Sequence, residues 1–354
     1  MKQLEKDYKR IVIKIGSSLL FSSNYKLDYK FFNGVATQIA SLVNRGKEIA
    51  VVSSGAIASG ICKLDLKERP KELYLLQAAA AIGQNELMNK YRKFFKTKLH
   101  IAQILLTWDD FDNRQRYLNA KNTILKLIEL GTIPIINEND TVSTEEIKFG
   151  DNDRLSALVA SLISADLLII LSDVEGLLDK DKKLIRVVDE ITPQIKALAY
   201  PTEKKTCVGG MITKLEAAKI AVDSGIPCVI ANGRKKDIIF SAIKNPSDSG
   251  TLFVPKKGYL AARERWIAFS AKPKGKIVVD EGAKNALMNK KSLLSVGIVA
   301  MQGNFDTGDI VSVQDMQGNE FARGKICVSS KQLDKIKGKH YHKEVIHCDN
   351  IVIL

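Results

Sequence analysis

The apolar run ending in Pro134-Ile135-Ile136 is followed at once by Asn137-Glu138-Asn139-Asp140, and ten residues later by Gly150-Asp151-Asn152-Asp153. Asp and Asn are poor strand and helix formers whose short polar side chains favour turns, caps and ligand contacts. One such cluster reads as a solvated loop with Asx-turns and a helix cap. Two clusters around a short spacer, at the outlet of one strand, point instead to a small polar substrate.

Two lysines stand in equally unusual company. Lys14 is embedded in the apolar run Arg10-Ile11-Val12-Ile13-Lys14-Ile15 just before Gly16, and a lysine there either snorkels to the rim or meets an anion. In Val208-Gly209-Gly210-Met211-Ile212-Thr213-Lys214, two glycines run into an expected helix with a lysine one turn in. Adjacent glycines let backbone approach a phosphate, and a helix start favours the anion, although Gly-Gly before a helix also serves as a plain turn. The spacing is not that of a Walker A loop, GxxxxGK[ST]. Two lysines, a glycine turn and a carboxylate able to hold them, Asp153, compose a phosphoryl-transfer apparatus, in which catalysis is mostly positioning and charge neutralisation.

The elements that must position these groups alternate. Strand patterns at residues 10 to 15, 48 to 53, 100 to 106, a run ending at 136, 167 to 171 and 228 to 230 are separated by helical patterns near 29 to 45, 74 to 96, 114 to 130, 153 to 164 and 211 to 224. That alternation predicts an α/β fold, an open and mostly parallel sheet sandwiched by helices. Ligands in such sheets gather at the carboxyl ends of strands. Lys14 with Gly16, Ser54 with Gly55, Asn137 to Asp140, and Ser172 with Asp173 all follow or end an apolar strand, so one rim is expected to collect them. Beyond residue 257 the texture changes to linker chemistry and then to short strands with glycine turns, a small β-rich barrel. The expected domains are 1–257 and 274–354, with a linker at 258–273.

Composition sets bounds. At 354 residues and 45% hydrophobic content, the chain can build a sizeable core. Its five cysteines form no CxxC pair, which argues against a disulfide framework or zinc knuckle and fits a reducing cytoplasm. No apolar run has signal-peptide or membrane-span length. The formal net charge of +14 favours encounter with anions, but few lysines interleave with aromatics as a single-strand binder would require.

Six segments in order, Lys14-Ile15-Gly16-Ser17-Ser18, Ser53 to Gly60, Asn137 to Asp140, Gly150 to Asp153, Ser172-Asp173 and Gly209 to Lys214, resemble the glutamate 5-kinases of the amino acid kinase family. The resemblance covers about residues 8 to 257. Residues from about 274 on, with Val279-Asp280-Glu281-Gly282-Ala283 and Gly303-Asn304-Phe305, are similar to the PUA domain that many of those enzymes carry.

The resemblance implies an amino acid kinase fold and ATP-dependent phosphorylation of the L-glutamate γ-carboxylate, the first step toward proline. It implies glutamate contacts from Ser54, Asp140 and Asn152, and ATP contacts from Lys14, Ser172, Asp173 and the loop Val208, Gly209, Gly210, Met211, Ile212, Thr213 and Lys214. Lys14 and Lys214 are expected to neutralise the transferring group, with Asp153 orienting them. Mg²⁺ is expected to ride on the ATP phosphates. A γ-carboxylate is ionised at neutral pH and needs no general base, in keeping with a chain of four histidines, three of them in the last fifteen residues.

Cytoplasmic location, homo-oligomerisation and feedback inhibition by proline are further implications of the resemblance. Val208 departs from the family's threonine, which removes a hydroxyl but not the backbone. The lysines Lys331, Lys335, Lys337 and Lys339 make RNA an alternative ligand of the C-terminal domain, a solvated basic face being the reading preferred here. Another acceptor, such as a carbamate, or a protein led by its RNA-binding domain, are the competing functions.

Overall fold

The computed structural model describes residues 7–22, 25–95, 99–142, 152–199, 210–255 and 260–354. They divide into two compact units, residues 1–110 with 115–259, and residues 111–114 with 260–354.

In the first unit eight strands form one sheet: β1 (Arg10–Ile15), β2 (Glu48–Ser53), β3 (His100–Leu106), β4 (Thr132–Glu138), β5 (Leu167–Ser172), β6 (Val187–Val188), β7 (Cys228–Asn232) and β8 (Gly250–Phe253). Their order is β3-β4-β2-β1-β5-β7-β8-β6, and all neighbours are parallel except β7 with β8. This is the open, mostly parallel sheet expected from the alternating pattern. Sequence periodicity did not indicate β8 or the edge strand β6, β6 being too short and β8 too glycine- and threonine-bearing to stand out.

β1 lies in the middle because it is apolar on both faces, with Ile11, Val12, Ile13 and Ile15 wholly buried. Each such side chain contributes about 1.5–3 kcal/mol of burial. Side-chain alternation divides the strand. Ile11, Ile13 and Ile15 join a core with the helices Tyr29–Asn44 and Leu73–Phe95. Lys14 ends on a carboxylate of the helix Asn152–Leu162, which packs against β1 and against the helix Met211–Asp223.

The chain passes from β1 to β2 on one side and reaches β5 on the other, so the order reverses beside β1. Such a switch point leaves a crevice at the carboxyl ends of the strands. The turns directly after β2 and β4 therefore fall on one side of Lys14, and those directly after β5 and β7 on the other.

The second unit holds β9 (Gly275–Val279), β10 (Ile298–Gly303), β11 (Ile310–Gln314), β12 (Glu320–Lys325) and β13 (Ile351–Ile353), paired in the order β10-β9-β11-β12-β13. Its own core includes Ile277, Val279, Leu293, Val311, Val313, Ile326, Val345 and Ile346. Helices Glu281–Met288 and Ser330–Ile336 are capped by Asp280 and Ser329, whose side chains accept from Ala283 N and Gln332 N. The helix Ala262–Arg265 and the π-helical turn Trp266–Ser270 also belong to this unit, where the indole of Trp266 donates to the carbonyl of Phe111 at 2.9 Å.

Candidate active site

Lys14, Asp153 and Lys214 meet at the rim of β1. Lys14 Nζ is ion-paired with Asp153 Oδ1, and Lys214 Nζ lies 3.1 Å from Oδ2 of the same carboxylate. All three are buried, Asp153 to 2% exposure, Lys14 to 7% and Lys214 to 5%. The local sequence explains how they arrive. β1 delivers Lys14 one residue before its end, Asp153 sits in the first turn of its helix, where an acid suits the helix dipole, and Lys214 comes one turn into the helix Met211–Asp223. Thr213 Oγ1 donates to Asp153 Oδ2 at 3.0 Å.

Burial alone would raise the Asp153 pKa, but the charges of Lys14 and Lys214, with the hydrogen bonds they donate, override it and hold the carboxyl below its ordinary range. The three groups together carry a formal charge of +1 in a poorly solvated place, which favours an arriving anion.

On the β2 and β4 side, four amides and hydroxyls form a chain. Asn152 Nδ2 donates to Ser54 Oγ at 2.8 Å and to Asn137 Oδ1 at 2.8 Å, with Ser53 O at 3.5 Å. Asn137 Nδ2 donates to Gln84 Oε1 at 3.0 Å. The Tyr91 hydroxyl donates to Ser53 Oγ at 2.7 Å, fixing the end of β2. Gln84 and Tyr91 lie two turns apart on the helix Leu73–Phe95.

That helix approaches the helix Ala56–Lys63 at backbone contact. A Cβ on Gly83 would stand 1.8 Å from Ala56 O, and one on Gly60 1.8 Å from Ala79 O. Two glycines thus let the Ser54-Gly55 turn and Gln84 share one small space. Gly55 itself has φ 108°, the left-handed region in which glycine is favoured.

Asp140 stands just past the end of β4. Burial pushes its carboxyl up to about 6, against the opposing charge of Arg69 from the loop after the helix Ala56–Lys63. On the other side of β1, Ser172 ends β5 and donates through Oγ to Asp173 Oδ1 at 3.0 Å. Gly210 is the N-cap of the helix Met211–Asp223, with no side-chain cap hydrogen bond among the described residues, and the first amides of such a helix attract an anion.

The model of the amino acid kinase family matches residues 9–232, and that of the PUA domain residues 275–348. The chain belongs to the amino acid kinase family. A glutamate 5-kinase of Caldanaerobacter subterraneus is 48% identical, and one of Thermoanaerobacter pseudethanolicus 47% identical, each over 98% of this chain and 98% of the relative. A third, from Citrifermentans bemidjiense, is 44% identical over the full length of both chains. This kinase thus aligns with glutamate 5-kinases from end to end, its C-terminal PUA domain included.

The kinase fold brings Lys14, Asp153 and Lys214 together and joins Ser54 to Asn152. It sets Asp140 beyond β4, and Ser172 at the end of β5 with Asp173 just past it, on opposite sides of Lys14. Met211, Ile212 and Thr213 form the first helical turn beside Asp153. Val208 and Gly209 lie outside the described residues, as does Asp151. Gln84, Asn137, Tyr91 and the pair Gly60 and Gly83 are the contributors without a role in the sequence reading. Asn137 was visible in a polar cluster, but Gln84 and Tyr91 look like ordinary residues of an amphipathic helix, and no local pattern distinguishes them.

Proposed function

We propose that this chain transfers the terminal phosphoryl group of ATP to the γ-carboxylate of L-glutamate, giving γ-glutamyl phosphate, and that the transfer takes place over Lys14. The carrying observation is the buried Lys14–Asp153–Lys214 cluster at the sheet's switch point, with an amide-rich pocket on one side and the start of the helix Met211–Asp223 on the other.

The obstacle to this reaction is repulsion between an anionic nucleophile and a triphosphate. Lys14 and Lys214 lower it by meeting the charge on the transferring oxygens, and Asp153 keeps both ammonium groups at fixed positions, so no reorganisation is needed in the transition state. The start of the helix Met211–Asp223, with Ser172 and Asp173, receives the nucleotide. Ser54, Asp140 and Asn152 receive glutamate, Asp140 accepting from its ammonium group.

Mg²⁺ fits this site as a companion of the nucleotide. Both oxygens of Asp153 are engaged by lysines, so its ligands would be phosphate oxygens and water. Bound there it neutralises phosphate charge. Kinship alone supports inhibition by proline and a homo-oligomeric state. No helix among the described residues is long and apolar enough to cross a membrane.

The test is ADP release from Mg-ATP that depends on L-glutamate, with hydroxylamine trapping the acyl phosphate as hydroxamate. Turnover with another carboxylate or a carbamate, and none with glutamate, would overturn the assignment.

A further inference from the structure

The amide chain behind Asn152 has a direction, and a backbone group sets it. The N–H of Glu138 donates to Asn137 Oδ1 at 2.9 Å. A backbone amide can only donate, so that atom of Asn137 must be the oxygen, and the group of Asn152 that faces it must be the NH₂. The opposite end of the Asn137 amide is then a donor, and it meets Gln84 Oε1. Gln84 Nε2 in turn faces Gln103 Oε1 at 3.3 Å, where β3 reaches the surface.

The consequence appears at the pocket. Asn152 is 7% exposed and its Nδ2 is committed to Ser54 and Asn137, whereas its Oδ1 is buried with no hydrogen-bond partner among the described residues. An unmatched buried acceptor is costly unless a donor arrives. The ammonium group of an amino acid is such a donor.

We infer that Gln84 is a positioning residue for amino acid binding: by accepting from Asn137 Nδ2 it holds the Asn137 amide in the orientation that the Glu138 N–H selects, which keeps Nδ2 of Asn152 on Asn137 and leaves Oδ1 for the substrate ammonium group. Gln84 touches neither substrate nor nucleotide. It sits 7% exposed on the helix Leu73–Phe95, one residue from the Gly83 contact that holds this helix against the helix carrying Ala56. The inference rests on the reading of Asn152 as a glutamate ligand, and the test separates the two.

The full-length protein is assayed for hydroxamate formation with glutamate and ATP varied in turn. Gln84→Met keeps the shape but removes the acceptor. It should raise the glutamate KM about tenfold, the effect of one hydrogen bond, with kcat and the ATP KM within about twofold. Gln84→Glu keeps an acceptor toward Asn137, and exposed Gln103 can turn its amide to donate, so the glutamate KM should stay within about twofold of the parent. Asn152→Ser is the companion.

A raised glutamate KM in Asn152→Ser, with none in Gln84→Met, overturns the role of Gln84 alone. An unmoved KM in Asn152→Ser overturns the reading of Asn152 and the inference with it. Equal losses in Gln84→Met and Gln84→Glu, or glutamate and ATP KM rising in step, assign Gln84 to packing and overturn the inference. If circular dichroism shows Gln84→Met unfolded, Gln84→Lys, which sets a donor against a donor, takes its place with the same expected rise.

Discussion

Lys14 and Lys214, far apart in sequence, finish on the two oxygens of one carboxylate, that of Asp153. The carboxylate is thus a spacer that fixes the separation of two cations. Replacing it leaves both lysines buried without their anion, which costs about 3–5 kcal/mol in comparable ion pairs. Asp153→Asn should lose stability on that scale in urea unfolding at neutral pH, and kcat should fall further than glutamate binding does. Because the Asp153 pKa is depressed, the stability it confers is present above the ordinary carboxylate range and is lost as pH falls below it. Parent and variant should therefore converge in acid. Equal stability at pH 7 would show that the cluster holds nothing together.

Lys14→Ala should cost on the order of 3 kcal/mol of transition-state stabilisation, roughly a hundredfold in kcat. Its glutamate KM should hold within about twofold, because the ammonium meets charge that develops on the phosphoryl group. A near-normal kcat would show that the lysine neutralises nothing in the transition state.

Asp140 gives the glutamate site a pH dependence. Burial raises its carboxyl to about 6, and only the ionised form attracts the substrate ammonium. The glutamate KM should fall as pH rises through about 6 and level off near neutrality, while Asp140→Asn should be weak and flat across the same range. The sign is opposite for stability. A raised carboxyl pKa means that the folded protein binds the extra proton between about 4 and 6, so ionisation above that window destabilises it. Asp140→Asn should then melt higher than the parent at pH 7. A glutamate KM in the parent that is constant from pH 5 to 7.5 would place the ammonium elsewhere.

The contact between Gly83 and Ala56 ties packing to binding. A Cβ at Gly83 would meet the Ala56 carbonyl at 1.8 Å and Gly60 N at 2.3 Å, both backbone atoms that yield only if a helix moves. Gly83→Ala should destabilise by at least about 1–3 kcal/mol and raise the glutamate KM by displacing Ser54. Gly34 is the control, since it sits in the helix Tyr29–Asn44 with nothing within 4 Å of its Cβ position. Gly34→Ala should be neutral or stabilising by up to about 1 kcal/mol. If both variants melt alike, the close approach of the two helices is not a constraint.

The sheet was legible because strand and helix periods differ and because glycines and polar residues punctuate the strand ends. β1, β2, β3 and β5 fall within a residue or so of their expected places, and β4 runs two residues past Ile136 to Glu138. Lys14 in an apolar strand left two readings open, a snorkelling lysine or a paired one, and its ion pair with Asp153 decides between them. β8 and the edge strand β6 were not legible, since four and two residues carry too little period.

The chain's own order of residues decided which side chains exist at the strand ends and how each faces: Lys14 by alternation along β1, Asp153 and Lys214 by their places in first helical turns. Local rules of geometry suffice for that. Only the tertiary structure decided that one carboxylate serves both lysines, that Gln84 backs Asn137, and that Gly60 and Gly83 bring two helices into backbone contact. Those relations join residues far apart in sequence, and they depend on distances between packed elements that no local period encodes.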